Sequence, residues 1–162
     1  MGEIKKARNF RNYKVWQDAV RYASRVYNVT SEMPWFEKKG LCDQLQRAVV
    51  SISSNIAEGS ARPSDVEFAH FLDMALGSSY EVETQLLIAK NVGYLENGND
   101  NHNDNGNGNG NDNGNGNDND NDNGNDNLNG NDNVSYEELL EELQEIERQI
   151  NGLIASLRKN KI

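Results

Sequence analysis

Disulfides are excluded at the outset, because the 162-residue chain has one cysteine, Cys42. Proline occurs twice, at Pro34 and Pro63, so long stretches are free to be helical. No apolar run approaches the roughly 20 residues that a membrane helix needs. The basic N-terminus, MGEIKKARNF, lacks the apolar core of a secretory signal. A reducing cytoplasm is therefore the expected compartment, with no membrane contact. Phosphate-binding glycine loops, nucleophile elbows and paired metal ligands are also missing. The two histidines, His70 and His102, are far apart in sequence. No catalytic residue, metal or cofactor is expected, and no enzyme activity.

Basic residues look scarce, since the formal charge is −10. That total misleads. Residues 97–133 hold eight aspartates and no lysine or arginine, which leaves 18 acids against 16 bases, a net of −2, elsewhere. The remainder is polarised. Residues 1–30 hold seven bases and two acids, and residues 63–96 hold one base and six acids. Such asymmetry bears on partners rather than on fold.

What is abundant is helical periodicity. A first helix is expected from Asn12 to Thr30, with Trp16, Ala19, Ala23, Val26 and Thr30 as its buried stripe, widened by Val20 and Tyr27. Arg11, Lys14, Arg21 and Arg25 gather on the opposite face, interrupted by Asp18. Pro34 ends the segment, and Trp35 and Phe36 are expected to plug the turn against the bundle end. A second helix runs from Lys38 or Gly40 to Ala61. Its stripe is Leu41, Leu45, Ala48, Ile52, Asn55 and Gly59, large at one end and small at the other. Ser51, Ser53, Ser54 and Asn55 suit a helix whose neighbours approach closely and need polar satisfaction.

The third helix opens with Ser64-Asp65-Val66-Glu67, a capping box. It buries Phe68, Leu72, Ala75, Ser79, Val82, Leu86, Ala89 and Gly93. Gly77 in its middle suggests a close helix contact. The fourth starts with a second box, Ser135 to Glu138, and buries Leu139, Leu143, Ile146, Ile150, Leu153 and Leu157. Each such Leu or Ile contributes roughly 1.5–3 kcal/mol before entropy.

Between them every odd position from Asn97 to Asn133 is asparagine, and the even ones are Gly or Asp apart from His102 and Leu128. Nothing apolar offsets the ordering entropy, so a solvated loop is expected. Asp118-Asn119-Asp120-Asn121-Asp122 resembles the start of a calcium-binding EF-hand loop. It fails at Asn123, where glycine is needed, and at Asn129, where glutamate is needed, leaving at most weak calcium attraction. The expected fold is all-α: an antiparallel up-down-up-down four-helix bundle, with residues 1–96 and 134–162 in one bundle and the low-complexity loop joining helices 3 and 4.

Two residue sets carry functional interest. The basic set on helix 1 offers phosphate contacts, against the plainer role of a solvated face. Arg47, Asn55, Glu58 and Glu81 form a candidate polar seam. In it asparagine fixes register, and a buried Arg47 pairs with Glu81, which the turn near residue 62 brings level with it. Cys42 is expected to be a buried small residue and His70 a packing or surface residue.

The stretches NYKVWQDAV, MPWFEKKGLCDQLQRAVVSISSNIAEGSAR and EFAHFLDMALGSSYEVETQL resemble the bacterial four-helix bundle family encoded in 23S rRNA intervening sequences. The family is similar to the accessory variability determinant proteins of diversity-generating retroelements. The resemblance covers residues 10–96 and, more loosely, 134–160; the asparagine tract departs from it. It implies a homopentamer without enzymatic activity. For the retroelement members it further implies a reverse transcriptase partner and RNA or DNA bound through a basic surface. The net of −2 is low for a strong nucleic-acid binder.

Overall fold

A computed structural model describes residues 8–95 and 134–159. The residues 97–133, read above as a solvated loop, lie outside the described residues. Among the described residues there are four α-helices: α1 Lys14–Glu32, α2 Leu41–Ser60, α3 Asp65–Asn91 and α4 Tyr136–Lys159. Single 3-10 turns at Phe10–Asn12 and Trp35–Glu37 precede α1 and α2, and there is no strand among the described residues.

Local chemistry sets the helix ends. Ser64 Oγ accepts from the Glu67 amide at 3.2 Å and donates to the Glu67 carboxylate at 2.6 Å. Ser135 Oγ accepts from the Glu138 amide at 3.2 Å. Each serine thus satisfies an amide that the first helical turn leaves without a partner. Met33 is extended ahead of Pro34, which stops α1. At the end of α3, Gly93 takes φ +81°, and Tyr94 N donates to Ala89 O at 2.8 Å. Glycine adopts this left-handed position without a Cβ penalty.

One core runs through all four helices. Tyr22 and Val26 of α1, Leu45, Ile52 and Ile56 of α2, Phe68, Leu72 and Leu86 of α3, and Leu139, Leu143 and Ile150 of α4 are all fully buried. Contacts pair Ser51 with Ser78 and Gly59 with Phe68 and Phe71 between α2 and α3. Lys90 with Glu137 and Asp73 with Arg158 join α3 to α4. Thr30 meets Gln46 between α1 and α2. In the α2–α3 and α3–α4 pairs, residue numbers rise along one helix as they fall along the other.

Four expectations need correction. The buried stripe of α1 is Val15, Ala19, Tyr22, Val26 and Thr30. Trp16 and Ala23 are only partly buried, and Val20 and Tyr27 are exposed. The helix packs against α2 and α4 together, which turns the large Tyr22 inward. Gly77 has nothing within 4 Å of a built Cβ, so it faces open space. The close contact is at Gly59 instead, where a Cβ would lie 2.5 Å from Phe71 Cβ and 2.8 Å from Phe68 Cδ2. On α4, Ile154 is buried while Leu153 is half-buried. Finally, Trp35 and Phe36 do not plug the bundle end: they are 80% and 60% exposed. Met33 and Leu95 are buried near that end, and the 3-10 turn holds both rings outside.

Candidate nucleic-acid interface

The basic residues of α1 are spaced so that Lys14, Arg21 and Arg25 come within an arc of the helix, with Asp18 among them. Asp18 is the hub. Its carboxylate accepts from Lys14 and Arg21 on its own helix and from Gln149 Nε2 of α4 at 2.9 Å. Burial alone raises its pKa. Hydrogen bonds from Lys14 and Gln149, with the Lys14 and Arg21 charges, outweigh that and hold it below the ordinary value. Arg25 reaches across to Glu142 and lies 3.7 Å from Glu138, both on α4.

The basic arc therefore borders α4 rather than lying opposite the whole core. Turning Tyr22 inward carries its neighbours Arg21 and Arg25 toward α4. Between the two helices is a groove of about 590 Å³. Lys14, Arg21 and Arg25 line it with Asp18, Glu142 and Glu145, so cations and carboxylates alternate along its walls. Lys14 and Arg21 keep more than 70% of their side-chain surface exposed. Arg11 stacks over Phe10, 4.5 Å from the ring centroid, and has no ion pair among the described residues.

The polar seam is built differently from the expectation. Arg47 is exposed and pairs with Asp43 of its own helix at 2.9 Å. Glu81 is exposed and accepts from Gln85 Nε2 at 3.1 Å. The two do not pair. The α2–α3 register is close to that expected, but Arg47 and Glu81 sit on outward arcs of their helices. Glu58 is exposed and pairs with Arg62. Of the four, Asn55 alone joins a contact network between helices. Its Nδ2 donates to Ser51 O at 2.9 Å and to Ser51 Oγ at 3.0 Å, while Ser51 Oγ meets Ser78 Oγ at 2.9 Å. The serines thus satisfy one another where α2 and α3 run close.

A second polar cluster had no sequence signal. Tyr22 Oη and Glu147 Oε1 are buried without a hydrogen-bond partner among the described residues. Burial pushes the Glu147 carboxyl up, and the nearby Glu83 charge adds to it against a hydrogen bond from Ser79. An Ile-to-Ile spacing on α4 shows which residues face inward, but not that a glutamate beside them is drawn in. The Asp18–Gln149 link likewise joins residues 131 positions apart, which no local pattern reveals.

Cys42 is buried, with its thiol 3.6 Å from Thr30 O and 3.7 Å from Met33 Sδ. Burial, then the Glu37 charge, pushes the thiol pKa up, the opposite of an activated nucleophile. His70 is exposed, edge-on to Phe71. Among the described residues no three His, Cys, Asp or Glu side chains cluster to hold a metal. No described helix is long and apolar enough to cross a membrane.

The fold and this groove define a small helical-bundle protein whose described surface includes a charged α1–α4 face. The 23S rRNA-intervening sequence protein family matches residues 11–106, more than half of the chain, and the chain belongs to that family. The match spans α1, α2 and α3; α4 lies beyond it. Comparison with curated proteins finds no match.

Proposed function

We propose that the protein is a non-enzymatic, homo-oligomeric helical bundle that associates with nucleic acid through the basic face of α1. The observation that carries this reading is the arc of Lys14, Arg21 and Arg25 along an open groove, in a family named for ribosomal RNA. The cations are held in place but shared with carboxylates. Phosphate must compete with Asp18 and Glu142, so binding is modest, strongly salt-dependent and largely indifferent to base sequence. Repeating the face around a pentamer multiplies it. A chain with one cysteine, and with no spanning helix among the described residues, suits the cytoplasm.

Self-assembly has support of its own. Val66, Met74, Tyr80, Leu87 and Ile88 of α3 are exposed, so its outer side carries large apolar residues among the polar Glu67, His70, Asp73, Glu81 and Thr84. Several large apolar side chains on one outer helix face suit a contact with another copy. Two other readings follow from the resemblance: an accessory subunit that binds a retroelement reverse transcriptase, and a structural assembly with no nucleic-acid role.

Light scattering combined with fluorescence titration, using a short RNA and a short duplex DNA, separates these readings. A species of five chain masses that binds both at low salt supports the proposal. A monomer at micromolar concentration contradicts the assembly. A pentamer that binds neither leaves the structural reading, and co-purification with a reverse transcriptase encoded beside it supports the accessory one.

A further inference from the structure

The 3-10 turn between α1 and α2 carries two aromatic rings that the fold does not use. Trp35 is 80% exposed and Phe36 is 60% exposed, and their ring centroids are 6.1 Å apart. Phe36 is in turn 6.5 Å from Tyr94. The other tryptophan, Trp16, is tucked edge-on against Phe10 at 4.9 Å. An exposed Trp-Phe pair lowers solubility and gives nothing to the core, so packing does not account for it.

The residues around the rings have a definite chemistry. Lys38 and Lys39 follow at once, exposed and without an ion pair among the described residues. The nearest acid, Glu37, is engaged inward: it accepts from Tyr94 Oη at 3.0 Å and from the Leu41 amide at 3.3 Å. The corner thus presents bare aromatic faces beside uncompensated ammonium groups. An edge-to-face pair covers only one face of one ring, and the high exposure of both rings leaves open faces for planar guests. A purely apolar protein partner would leave the two lysines unmatched. A duplex keeps its bases stacked inside and cannot reach the rings.

Resting on the nucleic-acid reading above, we propose that Trp35 and Phe36 form a stacking platform for unpaired nucleobases, with Lys38 and Lys39 holding the adjoining phosphates. The occupant is single-stranded RNA or DNA, bound with little sequence preference, because every base offers a π-face. This site is separate from the α1 arc, which engages phosphates of single strands and duplexes alike. Arg25 lies about two turns before the end of α1, on the order of 11 Å along the axis. A strand leaving the corner comes within reach of the groove.

The test is a titration of the full chain with a labelled uridine oligonucleotide of about ten residues, a length within the usual footprint of such sites. A duplex RNA of the same length is titrated beside it at low salt. Trp35→Leu with Phe36→Leu keeps the corner apolar but removes the rings. Single-strand affinity then falls about 5- to 150-fold for each stacked base lost, while duplex affinity changes less than about twofold. Trp35→Tyr with Phe36→Tyr retains most of the single-strand affinity. If the leucine variant binds single strands as wild type does, stacking is overturned and the α1 reading stands. If wild type binds neither strand at low salt, the nucleic-acid reading fails and stacking with it. If the leucine variant changes oligomer size in light scattering, the corner is a contact between copies and the proposal is wrong.

Discussion

Between α2 and α3, a Cβ on Gly59 would lie 2.5 Å from Phe71 Cβ; between α1 and α4, a groove of about 590 Å³ stays open. The first pair meets through small side chains, with Ser51 and Ser78 in hydroxyl contact. The second meets through long charged side chains that reach across a gap, as Arg25 does to Glu142. Close backbones seal a surface and leave nothing for a ligand. Charged arms across a gap are screened, exchangeable and worth little each. One side of the bundle therefore fixes the fold, and the other can exchange its internal partners for external ones.

The largest effect should come from adding a methyl group on the sealed side. Gly59→Ala gains helix propensity of roughly 1 kcal/mol but forces Phe71 and Phe68 apart, and a net loss of about 1–3 kcal/mol is expected in urea unfolding. Gly77→Ala meets nothing and should stabilise by roughly 0.5–1 kcal/mol. If both substitutions stabilise, α2 and α3 are not in close contact.

On the open side, Asp18→Asn should cost about 1 kcal/mol at neutral pH. Asp18 has a lowered folded pKa, so its contribution is present above 3.8, the ordinary value, and is lost as pH falls through the folded value. The wild-type advantage should therefore vanish in acid. The same variant frees Lys14 and Arg21 and should tighten RNA binding. Loss of stability with weaker binding would mean that Asp18 positions the cations rather than competing for them.

The smallest effect belongs to the polar cluster inside. Glu147 has a raised pKa, so the native state binds its proton more tightly than the unfolded chain. Stability then falls as pH rises through the window above 4.5. Glu147→Gln should raise stability at neutral pH by less than about 1 kcal/mol after solvent screening, read as a higher Tm, and the gain should close near pH 4.5. A Tm gain that persists unchanged at pH 4 would point to hydrogen bonding instead.

Much of the architecture was legible in the sequence. Every residue of the stripe expected on α3 is buried from Phe68 to Ala89, Gly93 alone being exposed beyond the helix end, and both serine caps are where the boxes place them. Period and capping are local properties, so local sequence carries them. The rotation of α1 was not legible. Stripes through Trp16 and through Val15 share Ala19, Val26 and Thr30, and packing against two neighbours decides between them. Arg47 and Glu81 were placed at nearly the right level along α2 and α3, yet on the wrong side. Level follows from counting residues back from a turn, whereas azimuth depends on where the third and fourth helices sit. For the same reason the basic arc was readable as a set, but its carboxylate partners on α4 were not. The exposed Trp35 defied the general rule that large aromatics bury.

The most direct measurement is the salt dependence of RNA binding in three proteins: wild type, Lys14→Ala/Arg21→Ala/Arg25→Ala on the open side, and Arg47→Ala, an exposed arginine of α2 that does not line the groove. All three are first matched for helicity and oligomer size. Losing three phosphate contacts should lower the magnitude of the log–log slope by roughly 2–3 per protomer engaged, whereas Arg47→Ala should leave it within about one of wild type. Equal slopes in the triple variant and wild type, or no binding by wild type even at low salt, would contradict a functional α1 face and reduce it to a solvated surface.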